Sequence, residues 1–159
     1  MKKIFSFLLV FIISLKIHAI DTKAEQAVVI DYDTNEVLFE KNSSNKVIPA
    51  SMTKIMTVYV AFDRIKNTNF AITNKCRVSA KAYKMGGSRT FLEIDDNVTV
   101  DDLLKGIIVQ SGNDASIALA ECLGGTEDDF AKLMNVYAER LGMMNTNFVN
   151  SSGWPVDNH

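Results

Sequence analysis

The sequence predicts an α+β fold in which a β-hairpin precedes a group of helices. Two β-rich runs, 27–32 and 36–40, flank the short turn-forming segment Asp33-Thr34-Asn35, which is typical of an antiparallel hairpin. Apolar residues then recur at helical spacing between residues 51 and 141. The chain has 159 residues, of which 47% are hydrophobic, so it is large enough for a single domain with a substantial core.

The N-terminal residues have the pattern of an export signal. Lys2 and Lys3 precede an apolar run over 4–15, and Ala19 supplies a small residue at a plausible cleavage position. We therefore predict a signal peptide over 1–19 and an exported domain, located in the periplasm or cell envelope. Because Lys16 interrupts the apolar run, an uncleaved N-terminal anchor is the alternative, and it is the only membrane attachment that the sequence predicts.

The first predicted helix runs from Ser51 to about Lys66. Its apolar residues occupy most of the circumference, which favours a central helix of the core over a surface helix. An extended segment is expected over 74–79, and a short helix over 79–85 is expected to end at Gly86-Gly87 as a glycine cap.

Three more helices follow, each marked by capping residues. Thr99 is placed to cap a helix that ends near Gln110, and Thr126 is placed to cap one that runs to Leu141. Between them, a helix over 114–123 is closed by Gly124-Gly125. Residues 143–159 are predicted to form a loop.

Composition excludes several classes of function. The net charge of −2 and the pI near 5.7 give no basis for binding nucleic acid. After signal cleavage only His159 remains as a histidine, so neither a Ser-His-Asp triad nor a zinc site is predicted, and no cofactor or metal is expected. Cys76 and Cys122 are expected to be separate buried thiols, with a disulfide as the alternative.

Ser51 and Lys54 form the first candidate site. Side chains three residues apart meet on one face of a helix, and a lysine amine whose pKa is lowered by burial can remove the proton of a serine hydroxyl. The amides at a helix N-terminus would also stabilise an oxyanion beside Ser51. Ser43 and Lys46 have the same spacing but lie in a polar run, so we interpret them as loop residues.

A second motif, Ser111-Gly112-Asn113, makes the first more specific. Together with Ser51-Met52-Thr53-Lys54, it resembles two of the three motifs of penicillin-binding proteins and serine β-lactamases. The flanking residues narrow the resemblance to low-molecular-mass D-alanyl-D-alanine carboxypeptidases, over residues 24–159. That resemblance implies a penicillin-binding/β-lactamase-like transpeptidase fold. It also implies a serine enzyme that removes the terminal D-alanine of the peptidoglycan stem peptide and is acylated by β-lactam antibiotics.

The resemblance also implies roles for four residues. Ser51 would be the nucleophile and Lys54 its base, Ser111 would pass a proton to the leaving amine, and Asn113 would bind the substrate's backbone amide. On its own, without Ser51 nearby, Ser111-Gly112-Asn113 favours a turn that ends a helix, with Asn113 or Asp114 as a cap. Gly86-Gly87 would lie near the cleft but receives no chemical role.

The family's third motif, Lys-Thr-Gly or a close variant, does not occur in the sequence. The fold is therefore expected to be incomplete, with the helical subdomain and the N-terminal hairpin present and the remaining strands missing. Two hypotheses follow: a carboxypeptidase that a second chain supplying those strands completes, or an inactive remnant or binding module. A β-lactamase is the least favoured, because no carboxylate that would activate a deacylating water can be placed.

Overall fold

The computed structural model describes residues 20–156, so the predicted signal peptide lies outside the described residues. The chain divides into two compact units, Met1–Lys46 and Val47–His159. Within residues 20–156, no helix has the length and apolar composition needed to span a bilayer.

The first unit contains the predicted hairpin. Strand β1 (Ala27–Ile30) pairs antiparallel with β2 (Val37–Lys41), and the register is irregular between Val29 and Ile30. The Asp31 carboxylate organises the turn by accepting a hydrogen bond from the backbone N–H of Thr34 at 2.8 Å. The hairpin prediction is confirmed, with a loop somewhat longer than expected.

The second unit is mainly helical. A 3₁₀ turn leads into α1, and a two-stranded antiparallel ribbon of β3 and β4 accompanies the helices. Strand β4 was not predicted from the sequence, because it is three residues long and continues directly into the next helix. In chain order the elements are the 3₁₀ turn Ala50–Met52, α1 Thr53–Asn67, β3 Lys75–Arg77, α2 Ala80–Lys84, β4 Asn97–Thr99, α3 Val100–Gln110, α4 Asn113–Gly124 and α5 Glu127–Arg140.

Hydroxyl side chains begin three of these helices. Ser79, Thr99 and Thr126 each accept a hydrogen bond from the backbone N–H three residues later, which satisfies an amide that the helix leaves unpaired. The caps predicted at Thr99 and Thr126 are confirmed. The predicted glycine cap of α2 is wrong, because Met85 ends that helix in an extended conformation.

Helix α4 is the centre of the core, and the prediction that α1 would be central is wrong. Every residue of α4 from Asn113 to Ala120 is buried, and the helix packs against α1, α2, α3 and α5. Helix α1 buries Val60 and Ala61 on one face but leaves Ile55 72% exposed. The alanines of α4 allow neighbouring helices to approach closely. In α1 the apolar residues occupy most of the circumference, so the sequence did not reveal which face of that helix would be covered.

Cys76 and Cys122 form a disulfide, so the prediction of separate thiols is wrong. The bond ties β3 to the last turn of α4, with Cα atoms 5.5 Å apart. The contact joins residues 46 positions apart, and it depends on the packing of β3 along α4, which local sequence patterns do not contain.

Loss of this disulfide is expected to destabilise the chain. Replacing both cysteines with alanine should lower the free energy of unfolding by about 2–4 kcal/mol, because the unfolded chain regains the entropy of an open loop. Denaturant unfolding of the oxidised protein and the double variant measures this difference. A reducing agent should lower the stability of the unmodified protein only, and an unchanged midpoint after reduction would contradict the pairing.

Candidate active site

Ser51 and Lys54 are in contact, as their spacing predicts. Ser51 lies exposed in the 3₁₀ turn, and Lys54 lies in the first turn of α1 with only 4% of its surface exposed. The Lys54 Nζ–Ser51 Oγ distance is 3.4 Å. An accessible hydroxyl therefore faces a buried amine.

The Lys54 amine is surrounded by neutral oxygen atoms. Besides Ser51, Nζ donates to Asn113 Oδ1 at 2.8 Å and to the Ser152 carbonyl at 2.7 Å. Burial lowers the pKa of Lys54, since removal from water disfavours the ammonium form. Within the described part of the chain no carboxylate forms an ion pair with Lys54 to offset this effect. Burial therefore shifts Lys54 toward the neutral amine, which is the form that accepts a proton.

Asn113 is held in place by the Gly86–Ser88 loop. Its Nδ2 donates to the Gly86 carbonyl at 2.9 Å, and its backbone N–H donates to the Ser88 carbonyl at 2.8 Å. These contacts orient Oδ1 toward Lys54. The glycine pair, for which no chemical role was predicted, is therefore part of the support for the site.

Ser111 ends α3 in the left-handed conformation, with φ of 54°. It lines a cavity of about 340 Å³ together with Ser51 and Lys54. The remaining lining residues are apolar: Ile55, Val58, Ile107 and Ile108. All four residues named from the sequence thus converge, three through hydrogen bonds and Ser111 through the shared cavity.

Asp114 is a fully buried carboxylate that organises the loop leading to β4. It accepts hydrogen bonds from the backbone N–H groups of Thr90 at 2.9 Å and Leu92 at 3.2 Å. Burial by itself raises the pKa of Asp114, but the hydrogen bonds from Thr90, Leu92 and Ala115 outweigh it and hold the pKa below its usual value. The sequence offered Asp114 only as a helix cap.

The loop over 150–154 supplies a part of the site that the sequence did not reveal. Asn150 Oδ1 accepts hydrogen bonds from the N–H groups of Ser152, Gly153 and Trp154, at 3.2, 2.8 and 3.1 Å. Thr57 of α1 donates to the Ser151 carbonyl at 2.6 Å. The loop is thereby fixed with the Ser152 carbonyl pointing at Lys54. The sequence signal that could have revealed this loop is Asn150, which lies two residues before Ser152.

Glu127 anchors the same loop from α5. One oxygen, Oε1, accepts hydrogen bonds from Ser151 N–H at 3.0 Å and Ser151 Oγ at 2.6 Å, and Oε2 forms an ion pair with Lys81 at 2.8 Å. Burial raises the pKa of Glu127, but the contacts with Lys81 and Ser151 outweigh it and lower the pKa overall. An ionised carboxylate thus lies behind the site without touching the Lys54 amine.

Gly153 brings this loop against the residue before Ser51. A Cβ atom built on Gly153 would lie 1.7 Å from the Ala50 carbonyl oxygen, and Gly153 has φ of +75°. Ala50 itself has φ of 47°, a conformation that residues with side chains adopt only at a cost. Close backbone packing therefore defines the position of the Ser51 turn.

Comparison with known proteins identifies the family. The D-alanyl-D-alanine carboxypeptidase family, Peptidase_S11, matches residues 14–159. The chain belongs to this family. D-alanyl-D-alanine carboxypeptidase DacF from Bacillus subtilis is 44% identical over 137 residues, which are 86% of this chain and 35% of that protein.

Solved structures show the same fold. D-alanyl-D-alanine carboxypeptidase DacD from Francisella tularensis is 41% identical with a TM-score of 0.84, over 88% of this chain and 34% of that one. Penicillin binding protein 5 from Haemophilus influenzae is 35% identical with a TM-score of 0.82, over 86% and 40%. The predicted carboxypeptidase ancestry and α+β fold are confirmed. The chain spans about a third of the length of the curated relatives that it matches.

The described residues of this chain hold no group of three or more His, Cys, Asp or Glu side chains arranged to bind a metal ion.

The contact between Gly153 and Ala50 can be tested with a matched glycine. Gly142 has φ of +76° but nothing within 4 Å of a built Cβ. Gly142→Ala should lower the free energy of unfolding by about 1–2 kcal/mol from backbone strain alone, and Gly153→Ala by at least about 3 kcal/mol. Chemical denaturation of both variants measures the difference, and equal losses would contradict the close packing at Ala50.

Proposed function

We propose that this chain forms the acylating part of a serine-type D-alanyl-D-alanine carboxypeptidase, which removes the terminal D-alanine of peptidoglycan stem pentapeptides. The observation that carries the proposal is the buried Lys54 amine, surrounded by neutral oxygens and 3.4 Å from Ser51 Oγ. Family membership supports the substrate class.

In the acylation step, the neutral Lys54 amine accepts the Ser51 proton while Oγ attacks the carbonyl carbon of the peptide bond between the two D-alanines. The carbon–nitrogen bond then breaks, and the leaving amine of the terminal D-alanine takes, through Ser111, the proton that Lys54 accepted from Ser51, which leaves Lys54 neutral again. The product is an ester between Ser51 and the shortened stem peptide. Water then attacks the ester carbonyl carbon and gives a proton to Lys54. As the bond between that carbon and Ser51 Oγ breaks, Lys54 returns the proton to Oγ, which restores the serine and releases the shortened stem peptide as a carboxylic acid.

The start of the 3₁₀ turn supports stabilisation of the tetrahedral intermediate. Ser51 lies in the 3₁₀ turn that leads into α1, where the helix dipole is positive. The N–H groups of Met52 and Thr53 already donate to the carbonyls of Pro49 and Ala50, so an oxyanion formed beside Ser51 would take its hydrogen bond from the N–H of Ser51 itself. Loss of one such donor in serine enzymes typically costs about 10²–10³-fold in rate.

Asn113 is suited to position the substrate. Its carboxamide nitrogen carries two N–H donors, and one of them is engaged by the Gly86 carbonyl. The second N–H can donate to the carbonyl oxygen of the substrate's backbone amide, on the acyl-donor side of the scissile bond. A donor fixed in this way holds the carbonyl over Ser51 before reaction, which saves the entropy of alignment.

β-Lactam antibiotics are proposed to acylate the same serine. The Haemophilus influenzae relative is named a penicillin binding protein, and the strained lactam amide would enter the site as the scissile peptide bond does. Because the lactam nitrogen stays tethered to the acyl group, it cannot diffuse away after the ring opens. A stable ester on Ser51 follows.

The chain is proposed to act outside the cytoplasm, with residues 1–19 as its signal peptide and 24–159 as part of the catalytic domain. The Cys76–Cys122 disulfide supports this location, because disulfides persist in oxidising compartments such as the periplasm. An uncleaved N-terminal segment is the one route to membrane attachment that we propose.

We propose that a second polypeptide completes the enzyme. The second candidate function is an inactive binding module. Apolar side chains are exposed on the hairpin, including Val28 and Leu38, and on α3, including Ile108 and Val109. On each of the two units, exposed apolar surface of this kind is typical of an interaction site, which additional strands supplied by a second chain would cover.

Covalent labelling with a fluorescent penicillin tests the acylation centre. Ser51→Ala should abolish the label, and Lys54→Met should slow labelling by about 10²–10⁴-fold because the general base is lost. Ser43→Ala is the matched control, since Ser43 and Lys46 have the same spacing in a loop, and it should label normally.

Absence of label on the unmodified chain would contradict the proposed function. Release of D-alanine from a pentapeptide mimic, alone and with a second chain carrying additional strands, then separates the enzyme from the binding module. Label without release under either condition would favour the binding module.

The acylation rate should depend on pH through Lys54. Because burial lowers the pKa of Lys54, the neutral fraction of the amine increases as pH rises through that pKa. The rate should therefore rise with pH and reach a plateau. The midpoint of the rise should lie below the ordinary lysine pKa of about 10.4. Labelling rates measured from about pH 5 to about pH 10 test this, and a rate that falls over this range would contradict the role of Lys54.

A further inference from the structure

Glu127 is a buried carboxylate that its own helix does not require. Only 5% of Glu127 is exposed, whereas 83% of the side chain of the next residue, Asp128, is exposed. The start of α5 is already capped by Thr126, whose hydroxyl accepts a hydrogen bond from the backbone N–H of Asp129. Burial of a charged group is costly unless its contacts replace the lost water. The contacts that explain this carboxylate therefore lie outside α5.

Every polar group of Ser151 is bound, on one side to α5 and on the other to α1. Its N–H and Oγ donate to Glu127 Oε1 at 3.0 and 2.6 Å, and its carbonyl accepts from Thr57 Oγ1 at 2.6 Å. The next carbonyl of the loop, that of Ser152, accepts from Lys54 Nζ at 2.7 Å. Ser151 and Ser152 thus connect Glu127 to the amine of the catalytic base.

Lys81 of α2 explains why the acceptor is an ionised carboxylate. Its half-exposed ammonium pairs with Glu127 Oε2 at 2.8 Å, while Oε1 serves Ser151. A glutamine in this position would turn its NH₂ group toward Lys81 or toward Ser151, and either arrangement brings two donors together. A carboxylate also accepts stronger hydrogen bonds than a neutral oxygen does. Only the ionised side chain satisfies α2 and the loop at the same time.

The other charged groups around this pair are also carboxylates. Asp128 lies 4.0 Å from the Lys81 amine, and Glu121 of α4 acts on the same amine. Burial lowers the pKa of Lys81, but its contacts with Glu127, Asp128 and Glu121 outweigh burial and raise the pKa overall. The pKa of Glu127 is lowered despite its burial. Both partners therefore keep their charges over the pH range in which Lys54 titrates.

We propose that Glu127 is a positioning residue for acylation, an inference that rests on the proposed function. Through Ser151 it holds the Ser152 carbonyl against the Lys54 amine, and that carbonyl keeps the amine directed toward Ser51. Glu127 does not line the cavity that contains the nucleophile, so it acts on the rate of acylation and not on β-lactam binding. Displacement of a catalytic group by about 1 Å can cost about 10²-fold in rate.

Saturation kinetics with a fluorescent penicillin separate rate from binding. The Glu127→Gln chain should have a maximal labelling rate about 10-fold below that of the unmodified chain, with the same half-saturating concentration and the same final stoichiometry. Asp128→Asn is the matched control, because it removes one negative charge from an exposed position in the same turn of α5, and it should label normally. A lower stoichiometry at an unchanged rate, or a change in half-saturating concentration alone, would overturn the positioning role.

The titration of Lys54 gives a readout that requires no acylation. Its ¹³Cε resonance, assigned by its loss in Lys54→Met, can be followed against pH by NMR. An acceptor bonded to the ammonium favours the charged form, so displacement of the Ser152 carbonyl in Glu127→Gln should move the titration midpoint to lower pH. A midpoint at higher pH would mean that Glu127 merely keeps water from the amine. That result, or an unchanged midpoint, would overturn the proposal.

Ser151→Ala tests the same connection from the loop, and it serves if Glu127→Gln lowers the folded fraction. This change removes the 2.6 Å hydrogen bond from Oγ and leaves the one from N–H. The maximal labelling rate should therefore fall by less than in Glu127→Gln. In the double variant the two losses should not add, because both act on one contact, and full additivity would overturn the proposed connection.

The two readouts separate this inference from the proposed function. A lowered Lys54 midpoint in Glu127→Gln, with no covalent label on the unmodified chain, would support the positioning of the amine and contradict the acylating role. Normal labelling of the unmodified chain, with a rate and a midpoint that Glu127→Gln leaves unchanged, would have the opposite meaning.

Discussion

Burial of the Lys54 amine among three neutral oxygen atoms is the interaction on which the rest of the site depends. The oxygens come from three separate parts of the chain: the 3₁₀ turn, the first residue of α4 and the 150–154 loop. An amine removed from water without a carboxylate partner is costly to keep charged. The arrangement therefore shifts Lys54 toward its neutral form, but only while all three segments keep their positions.

Two buried carboxylates hold those segments without pairing with Lys54. Asp114 accepts hydrogen bonds from the loop that follows Ser88, and Glu127 accepts them from Ser151 while pairing with Lys81. Each acidic group is satisfied by hydrogen bonds that favour its ionised form. Negative charge thus stabilises the loops around the amine, whereas a carboxylate in direct contact with Nζ would raise the lysine pKa and weaken the base.

Backbone conformation completes the arrangement at three junctions. Ala50 and Ser111 adopt left-handed conformations beside the two serine motifs, and Gly153 packs directly on the Ala50 carbonyl. Left-handed residues other than glycine cost about 1–2 kcal/mol each. The close packing of four helices around α4 supports these segments, which links the alanine-rich core to the position of the Ser51 turn.

The sequence by itself determined the features that depend on neighbours within one helical turn. The helix starts at Thr99 and Thr126 and the contact between Ser51 and Lys54 are local, so spacing alone predicts them. Joint occurrence of the two serine motifs predicted the family, although neither motif alone would have done so.

Only the tertiary structure decided which helix is central and that Cys76 pairs with Cys122. It also decided that the Ser152 carbonyl accepts a hydrogen bond from Lys54 and that Glu127 anchors the loop that carries this carbonyl. These features join residues tens of positions apart, and one of them uses a backbone carbonyl that every residue type possesses. Local patterns carry no information about such contacts, because they arise from how completed elements pack together.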